Sequence, residues 1–221
     1  MNSDDIHDRW ADRTGAYSPA YYAHYGPNET SELLEAIIDR VVGPDAAVLE
    51  LGCSSGRHLA HLHEHGYDDL HGVDINETAF EVMERVYPDL AATGTFTHGS
   101  LEEFVRDRGR DRFDVVYAVQ TLQHLPPEAE WVFDELVRLT DSLLVTAETD
   151  AGGSVAAADE STADAVDDPD STVTDVRDVD GVPLYVRDWS RVFADRGWIE
   201  LEEEATVLDY HTFRAFRPPA E

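Results

Sequence analysis

Between Val48 and Leu62 the chain reads VLELGCSSGRHLAHL, and several residue types in it could do chemistry. Gly52-Cys53-Ser54-Ser55-Gly56 fits G-x-S-x-G, the spacing of a sharp strand-to-helix elbow that presents a serine hydroxyl for nucleophilic attack. Cys53 offers a thiol. The same stretch also fits Glu50-x-Gly52-x-x-x-Gly56, a glycine loop whose bare backbone lets a small ligand lie against it. An elbow serine needs partners, and its oxyanion-hole loop belongs on an earlier strand. Here only one helix and a polar arm come before the loop, and no HGGG-like segment precedes it. A cysteine beside glycines reads as a small packed side chain. The ligand loop is therefore preferred, and a serine hydrolase using Ser54 stands as the minor alternative.

The residues after the loop favour a cofactor. LHGVD places Asp74 at the end of the next strand, 22 residues after Gly52. In an open parallel sheet ligands bind off the carboxyl ends of the strands, and a carboxylate there accepts both hydroxyls of a ribose. A nicotinamide enzyme would want G-x-G-x-x-G with its amides aimed at a pyrophosphate. The spacing here differs, and Glu50 is a poor neighbour for phosphate. A cationic cofactor that carries no phosphate tolerates that acidity, a description that fits S-adenosylmethionine.

The elements that must hold these residues alternate. Asn28 reads as the N-cap of a helix running to about Val42, with Leu34, Ile37, Ile38 and Val41 on one face and Gly43-Pro44 as its stop. AAVLEL, LHGVDI, TFTHG, FDVVYAV and SLLVTAE then read as five strands. Between them GRHLAHLHEHG, NETAFEVMERVYP (capped by Asn76), LEEFVRDR and PPEAEWVFDELVRL read as helices. This predicts an α/β fold, a doubly wound, mostly parallel sheet with helices on both faces. VPLYVRDW resumes order after residue 180, then SRVFADRG reads as a helix and two further strands end at Phe216. Residues 1–44 read as an aromatic arm and cap helix, and 45–221 as the main domain. Within the latter, about 150–180 reads as an acidic insertion, with nine acids against one arginine from 151 onward.

Four places resemble the class I S-adenosylmethionine-dependent methyltransferases of the small-molecule type. LELGCSSGRHL looks like the first motif of that family, with Ser54 where its middle glycine usually stands. GVDIN looks like the second. HGSLEEF occupies the third, with Ser100 in place of the usual acid, and FDVVYAVQTLQHLPP is similar to the strand and turn that hold the methionine end of the cofactor. The resemblance implies a seven-stranded Rossmann-like methyltransferase fold and in-line methyl transfer from S-adenosyl-L-methionine to a small molecule. It further implies that Glu50, Gly52, Ser54, Gly56 and Gln120 line the cofactor, that Asp74 holds its ribose, and that Ile75, Ser100 and Leu101 meet its adenine. His124 is the one polar residue of the QTLQHL turn with useful acid–base chemistry near neutral pH. Arg57 is a candidate partner for the methionine carboxylate. No catalytic residue is demanded, because a sulfonium is already an activated methyl donor. A cofactor-binding partner subunit without transfer activity is the alternative from another class, and aminopropyl transfer lacks the acidic cluster it would need.

Composition narrows the setting. The 221 residues carry 47 acids against 16 bases, a formal net charge of −31, and every base is arginine. Acids spread over most faces suit a cytoplasm at molar salt, where the screening length is about 3 Å, so the chain reads as that of an extreme halophile. They oppose binding to nucleic acid. No signal segment or membrane-length apolar run is seen, so a cytoplasmic protein is expected. One cysteine excludes an internal disulfide and a cysteine metal cluster. His58, His61, His63 and His65 alternate with apolar residues and read as the polar face of a helix, with no metal assigned.

Overall fold

Val48–Leu51 (β1) is buried at all four positions, the mark of a strand covered on both faces. In the computed structural model, which describes residues 3–108, 112–150, 172–208 and 211–219, it lies at the centre of the main sheet. Leu70–Asp74 (β2) and Thr95–His98 (β3) lie to one side, Phe113–Val119 (β4) and Thr140–Glu148 (β5) to the other, all parallel. Beyond β5 the sheet closes with antiparallel Thr212–Arg217 (β10) and Ile199–Glu200 (β8). The two-residue Thr206–Val207 (β9) also pairs with β10, which brings the strand count to eight where seven were expected.

Strand alternation sorts the core into two layers. Leu49, Leu51, Val116 and Ala118 face Leu101–Asp107 (α7), Trp131–Leu139 (α8) and Trp189–Ala194 (α9). Val48, Val115 and Tyr117 face Glu29–Val41 (α3), Arg57–Glu64 (α4), Thr78–Val86 (α5) and Pro88–Thr93 (α6). Glu50 is in register with Gly72 and Tyr117. Chain order reverses between β1 and β4, so their carboxyl ends frame the crevice where such sheets bind ligands.

Several boundaries differ from the sequence reading. The first 27 residues contain two helices, Ser3–Ala11 (α1) and Pro19–Tyr25 (α2), the second capped by Ser18, whose Oγ accepts the amide of Tyr21. Tyr87, kept out of the helical region by Pro88 (φ −127°, ψ 60°), splits the expected long helix into α5 and α6. Pro127–Ala129 forms a separate 3₁₀ turn ahead of α8, with extended Pro126 before it. The expected insertion yields a hairpin at its end: Val173–Val179 (β6) pairs antiparallel with Val182–Arg187 (β7). The remainder of that segment, 151–171, lies outside the described residues. Among the described residues no helix is long and apolar enough to cross a membrane.

The hairpin gives α1 something to pack on. Ile6, 3% exposed, joins Val173, Val182 and Tyr185 in a third small core, with Trp10 and Val176 against it. Truncating a buried isoleucine removes about 2–5 kcal/mol of packing. Ile6→Ala should therefore raise amide exchange across residues 3–11 at least about tenfold while protection of the central strands is unchanged. Mass-spectrometric hydrogen exchange reads both; equal protection of α1 in the two proteins would show that this contact does not hold the arm.

Candidate functional site

The loop after β1 is built by close approach. Gly52 (φ 68°) has no room for a side chain, since a Cβ there would collide with Oγ1 of Thr121. The amides of Gly52 and Cys53 both donate to the carbonyl of Val73, at 2.9 and 3.0 Å, which ties the loop to β2. Ser54 takes the left-handed conformation (φ 49°) that glycine takes more readily. This turn aims its amide at Asp74, whose Oδ2 accepts it at 2.7 Å while Oδ1 accepts the amide of Asn76 at 2.8 Å. Burial raises the Asp74 pKa and these bonds oppose the rise. Each carboxylate oxygen keeps a second lone pair for a ligand.

Glu50, Gly52, Ser54, Asp74, Ile75, Ser100, Leu101, Gln120 and His124 all line one open cavity. Gly56 is not on its wall; a Cβ there would meet Met83 and Leu90, so its place is in packing the start of α4 onto α5 and α6. Ser100 caps α7, its Oγ accepting the amide of Glu103 at 3.3 Å. Leu101 opens that helix and, as its first residue, has an amide with no partner inside the helix. Gln120 is also left-handed (φ 52°), and its Nε2 lies 3.1 Å from Nδ1 of His211.

The charged groups on the wall are poised by burial. Glu50 is buried and accepts the hydroxyl of Tyr117 at 3.0 Å; desolvation pushes its pKa well up, against the pull of that bond and of Arg57. Arg57 stacks on the ring of Tyr22 and donates through Nε to Nε2 of His58. That fixes the His58 tautomer: Nδ1 carries the proton and donates to Ser31 Oγ at 2.8 Å. His124 donates through Nδ1 to the carbonyl of Pro183 at 3.0 Å, which leaves Nε2 as a lone-pair acceptor beside the ring of Trp10. Burial lowers its pKa to about 4, so it is neutral throughout the physiological range.

Neither nucleophile has its machinery. Cys53 is buried against Gly72, and desolvation pushes its thiol well above the usual range. Among the described residues no histidine is hydrogen-bonded to Ser54, and His58, the ring nearest in sequence, is engaged at both nitrogens.

Sequence reasoning missed Glu148. It is wholly buried at the end of β5, and its carboxylate accepts the amides of Thr121, Leu122 and Gln123 at 3.1, 3.0 and 3.4 Å. Gln123 answers by accepting the amide of Thr149 through Oε1. The turn after β4 is thus stitched to β5, which sets Thr121 over Gly52. The signal was present as an acid closing an apolar strand, SLLVTAE. The aromatic arm, Tyr17 to Tyr25, reads from the sequence as either a lid or core cover; Tyr17 and Tyr22 wall the cavity, and Ile6, His7, Trp10 and Arg13, which that reading did not single out, wall it too. His7 lies 3.2 Å from Glu102 of α7, and that bond raises the pKa of the imidazole. Asn76 Nδ2 donates to the carbonyls of Trp10 and Arg13, and Arg13 pairs with Asp180 of the hairpin.

Comparison with known proteins agrees with this geometry. Residues 48–142 match the family model described as a methyltransferase domain. No curated protein matches the chain. Among solved structures, magnesium protoporphyrin IX methyltransferase from Synechocystis PCC 6803 with bound S-adenosylhomocysteine is 15% identical. The alignment spans 99% of this chain and all of that one, with a TM-score of 0.65. The 1,6-didemethyltoxoflavin-N1-methyltransferase of Burkholderia thailandensis is 13% identical over 98% of this chain and 87% of that one, also at 0.65. The CcbJ methyltransferase of Streptomyces caelestis is 19% identical over 97% and 96%, at 0.63. At such identities the likeness is one of fold.

Glu148 makes a pH test of the site's scaffold. Desolvation, against its three amide bonds and Arg187, raises its pKa from 4.5 to about 7. Between those values the folded chain holds a proton that the unfolded chain has released, so stability falls as pH rises through that window and is level above it. Glu148→Gln cannot ionise. From pH 5 to 7.5, wild type should lose on the order of 1–3 kcal/mol relative to the variant in urea unfolding. Parallel curves would show that the carboxylate is ionised throughout.

Proposed function

We propose that the chain, whose residues 48–142 match a methyltransferase domain, is of the class I S-adenosylmethionine-dependent type and transfers a methyl group from S-adenosyl-L-methionine to a small-molecule acceptor. The observation that carries the reading is Asp74, clasped by the amides of Ser54 and Asn76 at the edge of a cavity that opens where chain order reverses. The donor set suits this cofactor: Glu50 and Asp74 line the cavity, and acidic walls oppose a pyrophosphate but not a sulfonium cation.

When bound, the cofactor supplies a methyl group already activated by the sulfonium. Asp74 offers its two outward lone pairs to the ribose hydroxyls, and the Gly52–Ser54 backbone gives the cofactor a surface without bulk. Ile75 and Leu101 supply the apolar walls for adenine, Ser100 its hydroxyl, and Glu50 and Gln120 border the methionine end. Arg57 is the cation available to a carboxylate there. His124 accepts a hydrogen bond from an acceptor N–H or O–H through Nε2; at a pKa of about 4 it orients better than it deprotonates. Catalysis then rests on alignment, worth about 7–11 kcal/mol when reacting groups are held in line. The aromatic arm, Trp10, Tyr17 and Tyr22, supplies flat walls for a planar acceptor and shields the transfer from water. In this division of labour residues 1–44 act as cap and the rest as the cofactor-binding domain. The acidic coat points to a cytoplasm at molar salt, so assays belong in molar potassium chloride.

Turnover of methyl-labelled cofactor to S-adenosylhomocysteine across a panel of planar aromatic small molecules is the test of function. Tight S-adenosylhomocysteine binding without turnover of any acceptor would favour the non-catalytic partner subunit. The cofactor site has its own measurement. Charge-assisted hydrogen bonds are worth about 1.5–3 kcal/mol each, so Asp74→Ala should weaken S-adenosylhomocysteine binding at least about tenfold. Calorimetry in high salt, with circular dichroism to check the fold, reads this out. Unchanged affinity in a folded variant would remove Asp74 from the site.

A further inference from the structure

The seam between α3 and α4 carries a line of polar contacts that the methyltransferase chemistry does not use. His58, His61 and His65 fall on one face of the α4 segment, and Ser31 and Glu35, one turn apart, answer them from α3. At the inner end His58 bonds Ser31 beside the cavity. At the outer end Nε2 of His61 lies 2.6 Å from Oε2 of Glu35, and Nε2 of His65 lies 3.8 Å from the same oxygen. The two imidazoles stack with centroids 4.3 Å apart, and one donor atom from each of the three residues lies within 4.8 Å of the others.

We propose that Glu35, His61 and His65 form a binding site for a zinc-class divalent cation, one that clamps α3 to α4. Donor chemistry selects the ion: two imidazoles and one carboxylate suit zinc, nickel or copper, whereas magnesium and calcium prefer oxygen alone. Spacing agrees. Zinc with bonds of about 2.0–2.1 Å in tetrahedral geometry sets its donors roughly 3.3 Å apart. The 2.6 and 3.8 Å separations from Glu35 bracket that value, and each needs to change by less than about 1 Å. One histidine is already prepared for coordination. His65 donates through Nδ1 to the carbonyl of His61 at 2.7 Å, so in the neutral ring the Nε2 lone pair is free and the ring is aimed by a hydrogen bond, as metal-binding imidazoles usually are. The side chain of His65 is 44% exposed, so an ion has a path in, and a fourth coordination position stays open to water. On the sequence alone these histidines read as a solvated face, because the third donor comes from another helix.

Isothermal titration of the untagged chain with zinc chloride in molar potassium chloride tests the proposal. One ion per chain should bind at micromolar zinc, and the melting temperature should rise with zinc but not with equimolar magnesium. His65→Ala and Glu35→Gln should each weaken binding at least about tenfold, since losing a ligand from a three-donor site removes much of its affinity. His63→Ala is the control, because that ring turns instead to Thr93 and should bind as wild type does. Equal zinc affinity in wild type and His65→Ala, or loss of binding only in His63→Ala, would overturn the site. The readout needs no acceptor or cofactor, so its outcome is independent of the methyltransferase reading.

Discussion

Where β1 and β4 end side by side, two turns must occupy the space of little more than one. Thr121 fills the place of a Gly52 Cβ, so neither turn moves without the other. Glu148 holds the Thr121 side in place through backbone amides, and the carbonyl of Val73 holds the Gly52 side. The amide of Ser54 then has one direction left to point, and Asp74 lies in it at 2.7 Å. Positions on four strands are thus set by one close approach, so the loop that borders the cavity is fixed through its backbone. Backbone atoms, unlike long side chains, lose no rotamer freedom when a ligand arrives.

The same compression buries ionisable groups, and burial decides their chemistry. Glu50 and Glu148 are both pushed upward by desolvation, yet their partners differ in kind. Glu148 faces a nest of amides and works as a structural acceptor. Glu50 faces a tyrosine hydroxyl and the cavity, where its carboxyl group is available to a ligand. His124 moves the opposite way, because the charged form of an imidazole is its protonated one. A neutral acceptor fixed by Pro183 is suited to holding a substrate proton in place, and the proposed methyl transfer would ask for little more.

Arm and hairpin form a second structure over the first. Neither could stand alone: α1 buries only Ile6, and a two-stranded ribbon in isolation is marginal in water. Packed together they share a small apolar cluster, and the arm roofs the cavity. The roof is tied down by the Arg13–Asp180 pair, by Asn76 and by the His7–Glu102 contact. Since the His7 pKa is raised by its partner, that last tie is at full strength below the ordinary histidine range and weakens as pH rises through the folded value.

Much of this was legible in residues 46–148, where strands alternate with helices and the glycine loop and Asp74 fall at successive strand ends. Local periodicity and turn chemistry are short-range properties, and a chain states them directly. The third motif was legible in position, although its serine turned out to cap a helix. Harder to read were residues whose role depends on a partner far along the chain. Glu148 looked like the polar end of a strand until the turn 26 residues earlier was seen to donate to it. The tyrosines and Trp10 announced an aromatic arm, but not that it folds as two helices on a hairpin from 173 to 187. The histidines of α4 had a clear helical spacing and no visible purpose, because Glu35 reaches them only once α3 packs alongside. Sequence by itself determined the five parallel strands of the main sheet and the glycine loop that follows the first of them. Tertiary structure alone decided which charges meet, because desolvation and hydrogen bonding depend on neighbours that only the folded chain supplies.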